Sequence, residues 1–330
     1  AYNFMLDKIR SLEITPAQLA LEPCSAGCVV TDPDTGDVLA CVTYPGYDNN
    51  RLTNTMDSAY FAALNKDQSR PLYSRATQER TAPGSTMKPV IAAAGLEEGV
   101  ITPSEIIHAT GVYTDAYGSP TCWIYNQYHG SHGNVNVVDA IRESCNYYFY
   151  EVGFRLGGGR SPGYSSDQAL EKIRRYAAEF GLDEKSGLEI PESAPELSDM
   201  DGIRSAIGQG TNRFSVSQLN RYVSAVANRG TVYNLTLLDK ITDSEGNTIE
   251  DRSASVYNEI DISDSSWVAI QEGMREVAED TDAFKDLDLT IAGKTGTAQQ
   301  SKRHPNHALF VGYAPYENPE ISIAIRITNG

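Results

Sequence analysis

The sequence has no long apolar run and no surplus of basic residues, and these absences exclude two classes of protein. No segment approaches the roughly eighteen consecutive apolar residues that a membrane-spanning helix requires, and the N-terminus does not read as a signal peptide. The formal net charge of -17 would repel a phosphate backbone. The longest basic cluster is Ser301-Lys302-Arg303-His304, whereas nucleic-acid binding would need a concentrated patch. We expect a chain that is soluble as given and has no nucleic-acid partner.

Cysteine is too scarce to organise the fold. The chain contains 5 cysteines at irregular spacing, which suits neither a disulfide framework nor a paired Cys-x-x-Cys zinc site. Cys28 and Cys41 are expected nearly opposite each other in a predicted hairpin, but an odd number leaves one thiol unpaired in a monomer. Composition leaves the redox compartment open, and no cofactor is expected. The other three cysteines are Cys24, Cys122 and Cys145.

The chain is long enough to bury a full core. It has 330 residues, of which 40% are hydrophobic and 22% charged, and this length suits one large domain or two modest ones. Residues 1–23 show a short helical pattern and two prolines, which we interpret as a lead-in segment before a main domain at 24–330. The chain begins at Ala1 without an initiator Met and ends just after a strand pattern. Both ends are therefore expected to be cuts in a longer protein.

The order of the secondary-structure patterns predicts an α+β fold. Segments 27–31 and 37–44 are rich in β-branched and aromatic residues and flank a turn, which indicates a β-hairpin. Helical patterns dominate between about 50 and 230, and the strand period then returns. We expect one antiparallel sheet built from the first hairpin and the last three strands, with a helical subdomain inserted between them. Helices are predicted at 90–98, 137–156, 167–180 and 215–228, and late strands at 287–299, 308–314 and 321–327.

A serine and a lysine lie one helical turn apart at the start of a predicted helix. Ser85 follows Pro83-Gly84, and Lys88 comes three residues later. A serine becomes a nucleophile when a neighbouring base removes its proton, and a lysine can do so if burial or nearby cations keep it neutral. The helix start also directs backbone N–H groups at the reacting centre. Taken alone, a helix cap and a solvated lysine would give the same pair.

Ser144 and Asn146 interrupt the helical pattern of 137–156. The Ser144 hydroxyl can relay a proton between a lysine and a leaving group, and the Asn146 amide can hold a substrate carbonyl. On its own, a Ser-x-Asn tripeptide also fits a polar helix junction.

The third motif, Lys294-Thr295-Gly296-Thr297, continues a predicted strand. Gly296 removes a side chain where a substrate backbone could approach the strand edge. Lys294 supplies positive charge and the two threonines supply hydroxyl donors, a set suited to a terminal carboxylate. A strand end with a surface lysine would give the same sequence pattern. Lys185-Ser186-Gly187 has the same form, but it lies in an acidic loop pattern after a helix stop, and we discount it.

The three motifs together are more specific than any one of them. Ser85 is the only serine with a lysine three residues later, and Ser144 begins the only Ser-x-Asn. Both precede the strand-borne Lys-Thr-Gly, in the order typical of penicillin-binding proteins and serine β-lactamases. The conjunction therefore favours an acyl-transfer site.

The chain resembles the class B penicillin-binding proteins well beyond these motifs. Segments 27–48, 80–85, 207–210 and 310–315 are similar to that family's opening hairpin and loop, its approach to the nucleophile and two further signatures. The resemblance covers roughly residues 24–330. Ser217-Gln218 departs from the more usual Thr-Pro-Leu-Gln, a change expected to leave the chemistry intact. The family's membrane helix, its pedestal domain and the helix after its last strand are expected to lie outside this sequence.

The resemblance implies a serine D,D-transpeptidase that cross-links peptidoglycan stem peptides. Ser85 would attack the carbonyl between the last two D-alanines, with Lys88 as the base. Ser144 would pass the proton to the leaving amine, and Asn146 would orient the substrate. An acceptor amine from a neighbouring stem would then resolve the acyl-enzyme.

The same resemblance implies the binding groups and the partners. Backbone N–H groups of Ser85 and Thr297 would form the oxyanion hole, and Lys294, Thr295 and Thr297 would hold the terminal carboxylate. Partners would be stem peptides ending in D-Ala-D-Ala, β-lactams, and a glycan polymerase of the divisome or elongasome contacted through regions outside this sequence. The parent protein would be anchored at the extracytoplasmic face of a bacterial cell membrane.

Four alternatives stay open. A serine β-lactamase shares the mechanism up to acylation, although Cys145 stands where class A enzymes usually have Asp. A D,D-carboxypeptidase passes the acyl group to water, and a penicillin-sensing domain is acylated without turnover. The long aromatic-bearing segment 100–136 favours the larger transpeptidase type. A metal enzyme using His129, His132 and Asp139 is the remaining class, but a glycine-bearing loop of this kind more often supports turns.

Overall fold

The computed structural model of the chain describes residues 23–252, 254–298 and 305–330. All but the last residue of the predicted lead-in segment 1–23 lies outside the described residues, as does the basic cluster Ser301-Lys302-Arg303-His304. The strands are β1 (Ser25–Thr31), β2 (Val38–Tyr44), β3 (Ile107–Ala109), β4 (Gly133–Val135), β5 (Thr231–Tyr233), β6 (Lys240–Thr242), β7 (Thr248–Asp251), β8 (Val256–Glu259), β9 (Ala292–Ala298), β10 (His307–Ala314) and β11 (Ile321–Thr328). The α-helices are α1 (Ser58–Lys66), α2 (Lys88–Glu97), α3 (Trp123–Tyr128), α4 (Val137–Arg142), α5 (Asn146–Leu156), α6 (Ser166–Glu179), α7 (Gly202–Ser205), α8 (Val216–Ala227) and α9 (Asp264–Glu279).

The predicted α+β fold is confirmed. Five strands form one antiparallel sheet in the order β2-β1-β11-β10-β9, so the first hairpin and the last three strands meet as expected. Alternate residues of β1 are buried, which is the period of a strand with one face on the core. The order leaves β9, which carries the Lys-Thr-Gly motif, at an edge of the sheet.

Two buried helices hold the sheet and the segment that carries Ser85 in place. All twelve residues of α8 are buried, and the helix lies against β1, β10 and β11. At that interface the Thr31 hydroxyl bonds the Asn220 amide oxygen at 2.8 Å and the Ser322 hydroxyl at 2.7 Å, so the buried polar groups are satisfied. The alanine-rich α2 is buried from Lys88 to Gly95 and packs against α5, α6 and α9.

Most of the predicted elements are present, with two changes. The helices predicted at 90–98, 167–180 and 215–228 correspond to α2, α6 and α8, and the predicted helix 137–156 is the pair α4 and α5. The strand predicted from residue 287 begins only at Ala292. Within the described part of the chain, no helix is both long and apolar enough to cross a bilayer.

Helix α9 lies beyond the region in which the sequence pattern places the helices. Its buried residues Trp267, Ile270, Met274 and Val277 recur with the spacing of a helix face, and Ser263 caps its N-terminus. That period is readable in the sequence, so the helix was predictable from the pattern. It packs against both α4 and β9 and therefore supports two walls of the site described below.

The prediction that Cys28 and Cys41 lie nearly opposite each other in the hairpin is wrong by one residue. In the β1–β2 register Cys28 pairs with Val42, whereas Cys41 pairs with Val29. A shift of one residue reverses the face of the sheet on which a side chain lies, so the two cysteines are on opposite faces. A disulfide across this hairpin is excluded by that register.

Candidate active site

Ser85 lies in a short 3-10 helix, Gly84–Met87, that runs directly into α2. This turn is pressed against two other backbone segments. A Cβ at Gly84, whose φ is +54°, would come within 2.4 Å of the Thr297 carbonyl oxygen, and one at Gly208 would come within 2.0 Å of the Gly84 carbonyl oxygen. Glycine at both positions lets the Gly84–Met87 turn, the loop at 208 and β9 touch through their backbones.

The Lys88 amine joins the first motif to the second. Its side chain is fully buried, and Nζ donates to the Ser144 carbonyl at 2.8 Å, the Ser144 hydroxyl at 3.1 Å and the Asn146 amide oxygen at 2.7 Å. Among the described residues, the hydrogen bonds of Nζ go only to this second motif, so the predicted approach to the Ser85 hydroxyl is not a hydrogen bond here. Burial lowers the pKa of Lys88 to about 8, which makes a neutral amine accessible near neutral pH.

Ser144 occupies the break between α4 and α5 in a left-handed conformation. Its φ is +50°, which for a residue with a Cβ costs on the order of 1–3 kcal/mol. The conformation turns both the hydroxyl and the carbonyl of Ser144 toward Lys88. Nearby, the Trp123 indole N–H donates to the Glu143 carbonyl at 3.0 Å and fastens the turn from the cleft side. Strain held by surrounding contacts is typical of functional sites.

The third motif forms the opposite wall on β9. Lys294 is fully buried, and its pKa is held well below the ordinary value by burial and then by the charge of Lys88. Its Nζ donates to the Thr295 carbonyl at 3.2 Å. A Cβ at Gly296 would meet the Thr86 methyl at 2.7 Å. The glycine therefore lets β9 pack on the turn that carries Ser85, and its role in substrate approach stays a prediction.

These segments surround one cleft of about 880 Å³. The predicted residues that line it come from all three motifs: Ser85, Ser144, Asn146, Thr295, Gly296 and Thr297. Lys88 and Lys294 lie buried behind them. The other lining residues were not predicted as site residues from the sequence: Thr121, Trp123, Asn126, Arg142, Glu143, Tyr150, Arg204, Asp280 and Asn306. No motif marks them in a single sequence, whereas Ile207, Gln209 and Gly210, which also line the cleft, belong to the 207–210 signature.

The discounted motif Lys185-Ser186-Gly187 lies in a loop, as expected. Ser186 is buried and its hydroxyl bonds the Glu192 carboxylate, while the Gly187 amide donates to the same carboxylate at 3.1 Å. These contacts close a turn around Glu192. Gly187 borders a separate small cavity instead of the catalytic cleft.

A cluster able to hold a metal ion lies directly behind the second motif. One ligand atom each from Cys122, His132 and Cys145 lies within 4.8 Å of the others, and Cys122 Sγ is 3.6 Å from His132 Nδ1. Hydrogen bonds from Cys145 and His132 hold the pKa of Cys122 well below its ordinary value despite its burial. Two sulfurs and an imidazole suit a thiophilic ion such as Zn²⁺. The set shares only His132 with the His129, His132 and Asp139 considered from the sequence.

We expect this cluster to bind one equivalent of Cd²⁺, used as a spectroscopic substitute for Zn²⁺, with thiolate-to-metal charge-transfer absorption. Cys122→Ser should remove most of that absorption, because it removes one of two thiolates and leaves only two ligand atoms to hold the ion. Cys28→Ser is the matched control and should retain all of it, since Cys28 is not a member of the cluster. Equal absorption in the two variants would place the metal elsewhere.

A family model matches almost the whole described chain. Residues 26–330 match the penicillin binding protein transpeptidase domain. Among curated relatives, the peptidoglycan D,D-transpeptidase MrdA of Haemophilus influenzae is 30% identical over 91% of this chain and 49% of its own length. The chain thus spans about half the length of the curated relatives it matches.

Solved structures show the same fold. Pseudomonas aeruginosa PBP2 in complex with WCK 5153 aligns with a TM-score of 0.79 and 29% identity, covering 92% of this chain and 67% of that one. A second solved structure concerns the structural coordination of polymerization and crosslinking by a peptidoglycan synthase complex. One of its chains aligns with a TM-score of 0.78 and 27% identity. That alignment covers 93% of this chain and 52% of the other.

Proposed function

Since this chain belongs to the penicillin binding protein transpeptidase domain family, we propose that it catalyses D,D-transpeptidation of peptidoglycan stem peptides through a Ser85 acyl-enzyme. The observation that carries the proposal is the buried Lys88 amine, which bridges Ser144 and Asn146 one turn below Ser85. A buried amine with a lowered pKa, one helical turn from Ser85 and hydrogen-bonded to the Ser144 hydroxyl, is suited to serine activation.

In the acylation half-reaction, Lys88 takes the hydroxyl proton of Ser85 as the oxygen attacks the penultimate D-alanine carbonyl. Ser144, in hydrogen-bond contact with Lys88, delivers a proton to the departing D-alanine amine. Backbone N–H groups of Ser85 and Thr297 stabilise the oxyanion, a role supported by the close contact of the Gly84 and Thr297 backbones. Asn146 orients the substrate carbonyl. In the second half-reaction, the same groups act in reverse on an acceptor amine.

The edge position of β9 suits the binding of an extended peptide donor. An edge strand has unpaired backbone groups, and a peptide can add to it as another strand. Thr295 and Thr297 offer their hydroxyls to the terminal carboxylate, and the buried Lys294 supplies charge behind them. A β-lactam, whose carboxylate and strained amide mimic this donor, is accepted in the same place.

We further propose the setting in which the site works. The parent protein acts on the extracytoplasmic side of a bacterial cell membrane and joins a glycan polymerase in a synthase complex. The structural neighbour described as part of a peptidoglycan synthase complex supports this kind of partner. We place the contacts with the polymerase in regions beyond this chain.

The deciding experiment supplies a stem-peptide donor ending in D-Ala-D-Ala together with an acceptor amine, and follows the products by mass spectrometry. Transpeptidation predicts a donor–acceptor dimer with release of D-alanine. Release of D-alanine without a dimer would instead identify a D,D-carboxypeptidase. A benzylpenicillin adduct that persists for hours supports a penicillin-binding protein, whereas rapid loss with drug hydrolysis would identify a β-lactamase. An adduct without any peptide product would identify a sensing domain.

A Glu143→Gln variant tests the β-lactamase alternative directly. Glu143 lines the cleft beside Ser144, where a carboxylate could activate water, but Arg142 holds it at 3.1 Å. We expect Glu143→Gln to leave the lifetime of the penicillin adduct within a factor of two, because the Arg142 guanidinium contacts the carboxylate oxygen that would otherwise hold a water molecule. A much longer adduct lifetime in this variant would assign Glu143 to deacylation.

Lys294→Ala is expected to lower the acylation rate by roughly tenfold to a hundredfold, because a hydrogen bond to a charged group, here the substrate carboxylate, contributes about 1.5–3 kcal/mol. Lys185→Ala is the matched control, since it removes the lysine of the other Lys-Ser/Thr-Gly sequence. It should acylate at the wild-type rate. Stopped-flow measurement with a fluorescent penicillin gives both rates, and equal loss in the two variants would contradict the assignment of Lys294.

A further inference from the structure

Cys122 and Cys145 form a pair of buried thiols immediately behind the wall of the cleft. Both side chains are fully buried, and their sulfurs lie within 4.8 Å of each other. The four residues that flank Cys122 and Cys145 in the sequence all line the cleft: Thr121, Trp123, Ser144 and Asn146. A small solute in the cleft is therefore separated from the sulfurs by one layer of residues.

Each sulfur also supports the second motif through a backbone hydrogen bond. The Asn146 amide N–H donates to Cys122 Sγ at 3.2 Å, and the Tyr148 amide N–H donates to Cys145 Sγ at 3.5 Å. The latter contact caps the N-terminus of α5. Asn146 in turn accepts from Lys88 Nζ at 2.7 Å, so a chain of contacts runs from Cys122 through Asn146 to the Lys88 amine.

We propose that Cys122 and Cys145 are an oxidative modification site, and that their disulfide slows acylation by displacing the Ser144–Asn146 turn. The effect on rate rests on the proposed function, whereas formation of the disulfide does not. Cys122 and Cys145 meet only in the folded chain, and the other cysteine pair considered, Cys28 and Cys41, is excluded by register.

The oxidant required is a peroxide, and the step balances. One cysteine sulfur attacks a peroxide oxygen, the O–O bond breaks, and a sulfenic acid forms with release of one water. The second sulfur then attacks the sulfenic sulfur, forming the S–S bond with release of a second water. The two thiols lose two electrons and two protons, and the peroxide gains them. A dithiol reductant reverses the change by thiol–disulfide exchange.

The disulfide is expected to move the second motif because its geometry differs from that of the thiol pair. The S–S bond is about 2.05 Å long and its Cβ–S–S–Cβ torsion lies near ±90°, so the sulfurs must leave their present positions. A disulfide sulfur is also a poorer acceptor than a thiol or thiolate. The Asn146 and Tyr148 amides then lose their partners, and the Asn146 side chain that holds Lys88 shifts with its backbone.

The experiment treats the whole chain with hydrogen peroxide after chelation and reduction, so that neither bound metal nor a pre-existing disulfide protects the thiols. Non-reducing digestion and mass spectrometry should yield a linked peptide containing Cys122 and Cys145. Acylation by benzylpenicillin should slow at least tenfold and recover with dithiothreitol. A background with Cys24, Cys28 and Cys41 all changed to serine should behave identically, which excludes the remaining thiols.

Cys122→Ser is the discriminating variant. Whatever its basal rate, that rate should not respond to peroxide, because no disulfide can form. The proposal is overturned if the linked peptide is absent, if the pair is oxidised only to sulfinic acid, or if the disulfide forms and acylation is unchanged. Absence of acylation in the reduced protein would instead overturn the proposed function, since the linked peptide is detected independently of acylation.

Discussion

Ser85→Ala is expected to abolish the covalent benzylpenicillin adduct that the wild-type chain forms. Without the hydroxyl there is no oxygen to form the ester, and the remaining oxyanion-hole and binding contacts cannot replace it. Loss of a catalytic serine lowers the rate by about four to six orders of magnitude in serine hydrolases. Intact-mass spectrometry should show a gain of one drug molecule in the wild type and none in the variant over several hours.

The controls separate loss of the nucleophile from loss of the fold. Alanine fits the short helix at Gly84–Met87, so thermal unfolding of Ser85→Ala should match that of the wild type. Ser104→Ala changes an exposed serine away from the cleft and should form the adduct at the wild-type rate. A variant that lacks Ser85, remains folded and still gains one drug molecule would remove Ser85 from the mechanism.

The sequence was sufficient to locate the motifs but not their contacts. Ser85, Ser144 and Lys294 could be found because each belongs to a short pattern with a chemical reason and a structural context. The partner of Lys88 could not be predicted in the same way. Helical spacing points to Ser85, whereas the folded chain provides stronger acceptors across the cleft, at Ser144 and Asn146. Such acceptors come from elements far apart in sequence, and their approach is set by packing.

The same limit explains the features that were missed. Cys122, His132 and Cys145 have no metal-ligand spacing, and they meet only because the segment that carries α3 folds back against the break between α4 and α5. The packing of Gly296 against Thr86 has no sign in the sequence either, because the two residues come from distant segments, and the role of Gly296 in substrate approach stays a prediction. The α9 helix is different, since its period was readable in the sequence.

The two buried lysines lower the stability of the fold but favour a neutral amine in the site. Lys88 and Lys294 are both fully buried, and burial followed by the charge of Lys88 lowers the pKa of Lys294. The hydrogen bonds described for their amines go to carbonyl, hydroxyl and amide oxygens, with no carboxylate among them in the described part of the chain. Charge without a counter-ion is costly in a protein interior. We therefore infer that the site sacrifices stability to keep a neutral amine available.

Lys88→Met is expected to lower acylation by about three orders of magnitude, the contribution typical of a general base. Methionine fills a similar volume without the amine. In the wild type, the acylation rate should rise with pH and level off above about pH 8, since the neutral amine is the active form and its pKa is about 8. The variant should lose this rise. Lys66→Met, at an exposed lysine on α1, should retain both rate and profile.

The same variant also tests the cost of burying the amine. The pKa of Lys88 falls from 10.5 to about 8 on folding, so the unfolded chain binds more protons in that window and the folded state gains stability as pH rises through it. The free energy of unfolding of the wild type, relative to Lys88→Met, should therefore increase by about 3 kcal/mol between pH 8 and 10.5. Below pH 8 the difference should be constant. Denaturant titrations across this range measure that difference in the free energy of unfolding. If the difference does not change with pH, and if Lys88→Met keeps the wild-type dependence of acylation rate on pH, then Lys88 stays protonated and is not the base.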